Sequence, residues 1–108
     1  MYKFGDVLLI AFPFTNAREA KKRPALVLLD ADDNDLLLAR ITSQSVNTNF
    51  DLQIAEWQES GLLTRSYVRL HKLATLETAL VDRRLGALKL TDLIKIEEKL
   101  HEIYSNLI

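Results

Sequence analysis

The chain lacks cysteine altogether, and it has only three glycines and two prolines among 108 residues. Without cysteine, neither a disulfide nor a thiolate metal site can form. The two histidines, His71 and His101, are too far apart in sequence to form a ligand-spaced cluster. No apolar run approaches the roughly 20 residues that a membrane-spanning helix needs, and the N-terminus has no signal-peptide pattern. These absences, together with the chain length, predict one soluble, cytoplasmic domain over residues 1–108, and we expect no cofactor.

The net charge is only −1, but the charges are unevenly distributed along the chain. Residues 1–29 carry a net charge of +3 and residues 60–90 carry +4, whereas residues 30–59 between them carry −6. If the two basic segments meet in the fold, they create a positive surface on a nearly neutral protein. A polyanionic ligand therefore remains compatible with the composition.

Short apolar runs predict a mainly β fold. The run Val7–Phe12 is apolar without alternation, which is typical of a strand covered on both sides or of a bent barrel strand. Residues 66–76 alternate more clearly, with Val68 and Leu70 on one face. Residues 15–22 are polar and predict a flexible loop. The predicted strands lie within residues 4–14, 25–29, 36–41, 50–54, 66–76 and 80–88.

The segment Asp30–Asp35 is a turn by composition, and it makes residues 25–41 a β-hairpin with a long loop. Its four aspartates raise the alternative of a calcium loop. The spacing lacks the glycine and the distal glutamate of an EF-hand, however. We therefore interpret the segment as a solvated turn.

A C-terminal helix completes the prediction. Thr91 is predicted to cap it, with Asp92 favourable in the first turn. Apolar residues recur at steps of three and four, and this stripe is expected to pack on the sheet, although a partner interface is the alternative. The predicted fold is a small β-barrel of five or six strands closed by the helix. The stripe consists of Leu93, Ile96, Leu100, Ile103 and Leu107.

Three consecutive cations precede the second predicted strand, in the sequence Lys21-Lys22-Arg23-Pro24. Proline cannot donate a ladder hydrogen bond, so Pro24 is expected at the first position of the strand. Arg23 then lies at the strand's mouth in an extended conformation. A guanidinium held there is suited to a phosphate. The alternative is a solvated basic loop.

Two further groups are candidates for binding phosphate or bases. The segment from Thr42 to Asn49 is rich in hydroxyl and amide groups and leaves the end of a strand. Arg69 and His71 are two residues apart on one strand and are predicted to share a face. They have the form of an acid–base and phosphate-binding pair. The alternatives are an ordinary surface loop and a solvated strand face.

These segments, in this order and spacing, resemble the PemK/MazF family of toxins from bacterial toxin–antitoxin systems. The resemblance covers nearly the whole chain. It rests on Gly5–Thr15, Lys21–Leu28, Ile41–Gln44, Ser66–Leu70 and Leu85–Leu88. It implies an SH3-like barrel of five to seven strands, a homodimer, and a metal-independent endoribonuclease that cuts single-stranded RNA, with mRNA as the expected target. It also implies a cognate antitoxin, with DNA contacted only through the antitoxin complex.

The resemblance assigns roles to particular residues. Arg23 matches the family's arginine before proline and would stabilise the phosphorane, while Thr42 would donate to the scissile phosphate. Arg69 matches the first member of an arginine–aspartate pair that acts as acid and base in some members. The second position here is His71, and a histidine is a better base near neutral pH than a carboxylate. His71 could therefore keep the role of base; the alternative is that the role is absent, as in members that rely on the other pair. RNA binding is predicted for Lys21, Lys22, Ser43, Gln44 and Arg65. Arg65 departs from the family pattern, since many relatives have a proline before the serine, and a looser loop is the alternative there.

Two alternatives keep the fold and change the function. Toxins that poison DNA gyrase share this barrel but use a tryptophan-containing C-terminal tail. This chain ends Tyr104-Ser105-Asn106-Leu107-Ile108, and its single tryptophan, Trp57, is expected to be a hydrophobic plug. A non-catalytic barrel that binds RNA or protein is the other alternative, and the presence of Arg23 and Thr42 argues against it.

Overall fold

The chain folds into an antiparallel β-sheet followed by one helix in the computed structural model, which describes residues 1–13 and 21–107. Residues 14–20, which hold most of the predicted loop 15–22, lie outside this description. Within the described residues the sheet has six strands in the order β4-β5-β3-β2-β1-β6, which confirms the predicted fold class. The elements are β1 (Asp6–Phe12), β2 (Lys21–Asp30), β3 (Asp35–Thr42), β4 (Asp51–Gln53), β5 (Tyr67–Glu77), a 3₁₀ turn (Thr78–Leu80), β6 (Val81–Ala87) and α1 (Leu90–Tyr104).

The sheet buries apolar side chains on both of its faces. Val7 of β1 packs in a helix-side core that includes Ile96 of α1. Leu8, Ile10 and Phe12 of the same strand belong to a second core. This confirms that β1 is covered on both sides, and it explains why its sequence shows no alternation. The second core also contains Ala25, Val27, Leu36 and Leu38.

Irregularities in strand pairing bend the sheet. The largest lies between β3 and β5, where Ala39 pairs with Leu73 but the next residue, Arg40, pairs with Arg69. Residues 70–72 of β5 are therefore left without partners on β3. Such bulges bend a strand and increase its twist. They also change which face the following side chains occupy, which matters for the functional site.

The prediction that Pro24 opens its strand is wrong, because β2 begins at Lys21. Pro24 pairs with Leu9 of β1. On the other side of β2, pairing with β3 starts only at Ala25. The first part of β2 is thus an edge at this point, and a proline fits there because no ladder hydrogen bond is lost.

The start and end of α1 also differ from the prediction. Lys89, and not Thr91, occupies the N-cap, and its side chain makes no capping bond. Asp92 lies in the first turn as expected, but it is buried and accepts hydrogen bonds from the backbone N–H groups of Ala55 and Glu56, both at 2.9 Å. The helix ends at Tyr104, so Leu107 lies beyond the apolar stripe and is 72% exposed.

The rest of the stripe does pack on the sheet. Ile96 is buried, and Leu93, Leu100 and Ile103 contact the helix-side core. Trp57 contacts the same core, which agrees with its prediction as a plug. Within the described residues, no helix combines the length and the apolar composition needed to span a membrane.

Candidate nucleic-acid interface

A cavity of about 740 Å³ opens where the ends of β2 and β3 approach β5 and β6. Its described lining contains cationic and uncharged polar side chains but no aspartate or glutamate. We call it the cationic cavity. Its cations are Arg23, Arg40, Arg69, Lys72, Arg83 and Arg84, and its uncharged polar residues are Thr42, Ser43, Gln44, Thr64 and Ser66.

Four strands supply these cations. Arg23 lies on β2, Arg40 on β3, and Arg69 and Lys72 on β5, while β6 supplies the remaining two. Arg40 and Arg69 are directly paired across two strands. Like charges opposite one another destabilise a sheet. The concentration of these cationic side chains in one cavity therefore favours the binding of an anion.

Thr42 is the last residue of β3, and its hydroxyl orientation is fixed locally. The backbone N–H of Gln44 donates to Thr42 Oγ1 at 3.1 Å. A hydroxyl that accepts one bond keeps its own proton for donation. Thr42 can therefore donate a hydrogen bond to an anion in the cavity, as the family resemblance implies.

Arg69 is anchored by a carboxylate from the neighbouring strand. Its Nε donates to Asp51 Oδ1 at 2.9 Å, and its Nη2 approaches Oδ2 at 3.5 Å. Thr48 donates to the same carboxylate from its hydroxyl at 2.6 Å and from its backbone N–H at 3.2 Å. Burial raises the pKa of the Asp51 carboxyl, but the bonds from Arg69 and Thr48 outweigh it, so the pKa lies below its ordinary value.

His71 does not line the cavity, although Arg69 does. Its ring lies against Phe50, with centroids 5.0 Å apart and an interplanar angle of 41°. Its Nδ1 is buried and has no hydrogen-bond partner among the described residues. Residues 70–72 have no partners on β3. This irregularity explains why Lys72 lines the cavity in place of His71.

Three of the residues predicted to bind RNA lie outside the cavity lining. Lys21, Lys22 and Arg65 are all exposed. Lys22 Nζ forms an ion pair with Asp82 at 2.9 Å. Arg65 lies between two lining residues, Thr64 and Ser66, without contributing itself. The cavity therefore gathers Arg23, Thr42, Ser43, Gln44 and Arg69 from the sequence predictions.

The sequence interpretation missed several residues that line the cavity, and it missed Asp51, which binds Arg69. Lys72, Arg83 and Arg84 belong to the basic segment 60–90, so the charge pattern pointed to them without identifying them. Arg40 is the one cation of the acidic segment 30–59 and gave no such signal. The support from Asp51 depends on the pairing of β4 with β5, which no sequence motif encodes.

In the described parts of the chain, no group of three or more histidine, aspartate or glutamate side chains is placed to hold a metal ion. The aspartates of the turn between β2 and β3 serve the backbone instead. Asp30 accepts hydrogen bonds from the N–H groups of Tyr2 and Asp32, at 2.9 and 3.0 Å. The turn prediction is confirmed, with Asp32 and Asn34 at positive φ.

The fold and the cavity together define a small antiparallel β-protein in which cationic side chains are concentrated around one cavity. The sequence model of the PemK-like, MazF-like toxins of type II toxin–antitoxin systems matches residues 3–104. The chain therefore belongs to this toxin family. By sequence, no curated protein is matched at a significant level.

Solved structures share the fold at low sequence identity. An endoribonuclease in complex with its cognate antitoxin, from a mycobacterial species, superposes with a TM-score of 0.76 at 17% identity, covering 100% of this chain and 99% of its own. The Mycobacterium tuberculosis toxin MazF-mt6 gives 0.75 at 16% identity, with 93% and 96% covered. MazF from Deinococcus radiodurans gives 0.69 at 19% identity, with 94% and 93% covered.

Proposed function

We propose that this toxin is a metal-independent endoribonuclease that cleaves single-stranded mRNA in the cytoplasm and thereby inhibits translation. The observation that carries the proposal is the meeting of Arg23, Thr42 and Arg69 on one cavity that has no carboxylate among its described lining residues. Membership of a family of toxins supports it, as does the structural neighbour described as an endoribonuclease.

The reaction uses the RNA's own 2′-hydroxyl as nucleophile. The 2′-oxygen loses its proton to a base and bonds to the adjacent phosphorus. The bond from phosphorus to the 5′-oxygen then breaks, and that oxygen takes up a proton. The products are a 2′,3′-cyclic phosphate and a 5′-hydroxyl. Arg23 and Arg69 stabilise the charge of the phosphorane, and the Thr42 hydroxyl donates to one of its oxygens.

His71 is the base suggested by the sequence, where the family pattern has a carboxylate. Its ring packs on Phe50 outside the cavity lining. Participation in proton transfer would therefore require the ring to turn toward the bound RNA. Substituting His71 tests this role directly.

The test is cleavage of a mixed-sequence single-stranded RNA in EDTA. We expect the native protein to release fragments ending in a 2′,3′-cyclic phosphate, and Arg23→Ala to slow cleavage by about 10²- to 10³-fold, because a preorganised charge donor to the transition state is lost. Lys95→Ala, an exposed cation on α1, is the matched control. The rate of His71→Ala shows whether that residue transfers a proton.

Absence of cleavage of any RNA by the folded, antitoxin-free protein would contradict the proposal. Inhibition of DNA gyrase would then be assayed by supercoiling. That alternative already lacks support, since Trp57 packs on the helix-side core.

We further propose that the toxin forms a homodimer and binds a cognate antitoxin, and that it contacts DNA only through that complex. Support comes from the structural neighbours, one described with its cognate antitoxin and one as a MazE–MazF complex. Light scattering of the purified toxin would give a mass of two chains. A single-chain mass at micromolar concentration would contradict the dimer.

A further inference from the structure

A buried carboxylate forms an ion pair with one of the cations that line the cavity. The side chain of Asp51 is 2% exposed, whereas that of its partner, Arg69, is 26% exposed. Asp51 does not line the cavity, but Arg69 does. The carboxylate thus contacts the guanidinium without itself being among the residues that line the cavity.

Both oxygens of the Asp51 carboxylate accept hydrogen bonds. Nε and Nη2 of Arg69 approach its two oxygens, and Thr48 donates to it twice. In turn the backbone N–H of Phe50 donates to Thr48 Oγ1 at 3.2 Å. Asp51 therefore connects the segment 48–50 to the guanidinium that reaches the cavity.

We propose that Asp51 is a positioning residue for Arg69, which fixes the plane and direction of its guanidinium toward the RNA phosphate. This role rests on the proposed function, because it presupposes a phosphate in the cavity. The carboxylate comes from a neighbouring strand, 18 positions before Arg69, and not from position 71 where the family pattern has it.

Asp51 itself is unsuited to proton transfer. It is buried away from the cavity, and its hydrogen-bond donors hold it ionised. A guanidinium has five N–H donors, and Asp51 engages Nε and approaches Nη2. In the hydrogen bonds of the described residues Nη1 is not used, so it remains available for a phosphate oxygen. The ion pair removes the rotational freedom of a long side chain before RNA arrives, which is the energetic benefit of preorganisation.

The test is a double-mutant cycle on RNA cleavage with Asp51→Asn, Arg69→Ala and the combined variant. Asp51→Asn keeps the size of the side chain and loses its charge. Since small misplacements of a positioning group cost up to about 10²-fold, we expect kcat to fall by about 10- to 100-fold with less change in KM. In the Arg69→Ala background the same substitution is expected to have no further effect.

Asp92→Asn is the matched control, because Asp92, like Asp51, is a buried carboxylate. Asp92 accepts hydrogen bonds from two backbone N–H groups and makes no hydrogen bond or ion pair with a cation of the cavity among the described residues. Its effect on kcat is expected to be small and to persist unchanged in the Arg69→Ala background. Native-like kcat in Asp51→Asn, or effects of Asp51→Asn and Arg69→Ala that simply multiply, would overturn the proposal.

A second measurement is independent of cleavage. The Arg69 Nε–H resonance in ¹H–¹⁵N spectra is expected to exchange slowly with water in the native protein and rapidly in Asp51→Asn. If the native protein cleaves no RNA, the proposed function fails, and this comparison still decides whether Asp51 holds Arg69. Equal exchange in the two proteins would overturn the positioning role.

Discussion

At the residue scale, cationic side chains line the cavity, and two of them pair with carboxylates that are not among the lining residues. Asp6 repeats the arrangement of Asp51. Its side chain is 4% exposed and accepts from Nε of Arg84 at 3.2 Å, while Arg84 lines the cavity. The two carboxylates compensate part of the positive charge although neither is among the residues that line the cavity. Breaking such a pair from one side costs more than the pair contributes, because a buried charge is left alone.

Asp51 should make the stability of the protein depend on pH in acid. Because its folded-state pKa is lowered, its contribution is complete above the ordinary pKa of roughly 4 and is lost as the pH falls through the lowered value. We therefore expect the stability difference between native protein and Asp51→Asn to shrink as the pH falls below about 4. Urea unfolding across this range measures it, and a pH-independent difference would contradict the assignment.

The hydroxyl of Thr42 should matter more than its methyl group. Thr42→Ala removes the donor to the phosphate and is expected to slow RNA cleavage by about 10²-fold. Thr42→Ser keeps the hydroxyl and should retain most of the activity. Rates measured with one RNA and equal amounts of folded protein provide the comparison, and equal loss in both variants would argue against hydrogen-bond donation.

At the element scale, β5 and its bulge determine which side chains meet the cavity. In a regular strand, residues 69 and 72 face opposite sides, since side chains alternate. Three residues without partners on β3 interrupt the pairing, and both Arg69 and Lys72 then line the cavity. The same irregularity leaves His71 against Phe50.

Helix α1 contributes to stability through one buried face. Ile96 is 2% exposed, whereas Ile94, two residues earlier, is 46% exposed. We expect Ile96→Ala to lower the free energy of unfolding by about 2–5 kcal/mol, because it removes buried methyl groups and leaves a cavity. Ile94→Ala is the control and should cost far less. Chemical denaturation of both variants makes the test, and equal losses would contradict the described packing.

The elements themselves were largely predictable, and the contacts between them were not. Apolar runs and turn residues were enough to place the strands and the helix. Arg23, Thr42 and Arg69 could be found because they match a family motif. The ion pair of Asp51 with Arg69 could not, since it follows from the register of β4 on β5. Lys72 was missed for a related reason, because a bulge has no reliable sequence signal.

At the scale of the whole molecule, the cationic cavity coexists with a net charge of −1. No aspartate or glutamate is among its described lining residues, and many of the acidic residues lie in the turn between β2 and β3 and on α1. The fold also persists among structures only 16–19% identical to this chain. The architecture is therefore compatible with widely different sequences.

RNA binding should depend strongly on salt, despite the nearly neutral charge. Each phosphate neutralised on a single strand adds about 0.7 to the slope of log affinity against log salt. Arg83→Ala should weaken binding and reduce that slope by about this amount, whereas Lys95→Ala on α1 should leave it unchanged. Fluorescence anisotropy with a labelled oligonucleotide measures the slope. An affinity that ignores salt would contradict phosphate contacts in the cavity.

The distribution of the cavity over β2, β3, β5 and β6 has a consequence for synthesis of the toxin. The described lining of the cavity runs from position 9 to position 85, and Ile96 of α1 then closes the helix-side core. Domains fold as units while the chain emerges at about 5–20 residues per second. A partly made chain therefore has no complete cavity, and its cations act together on an anionic ligand only once almost the whole chain has left the ribosome.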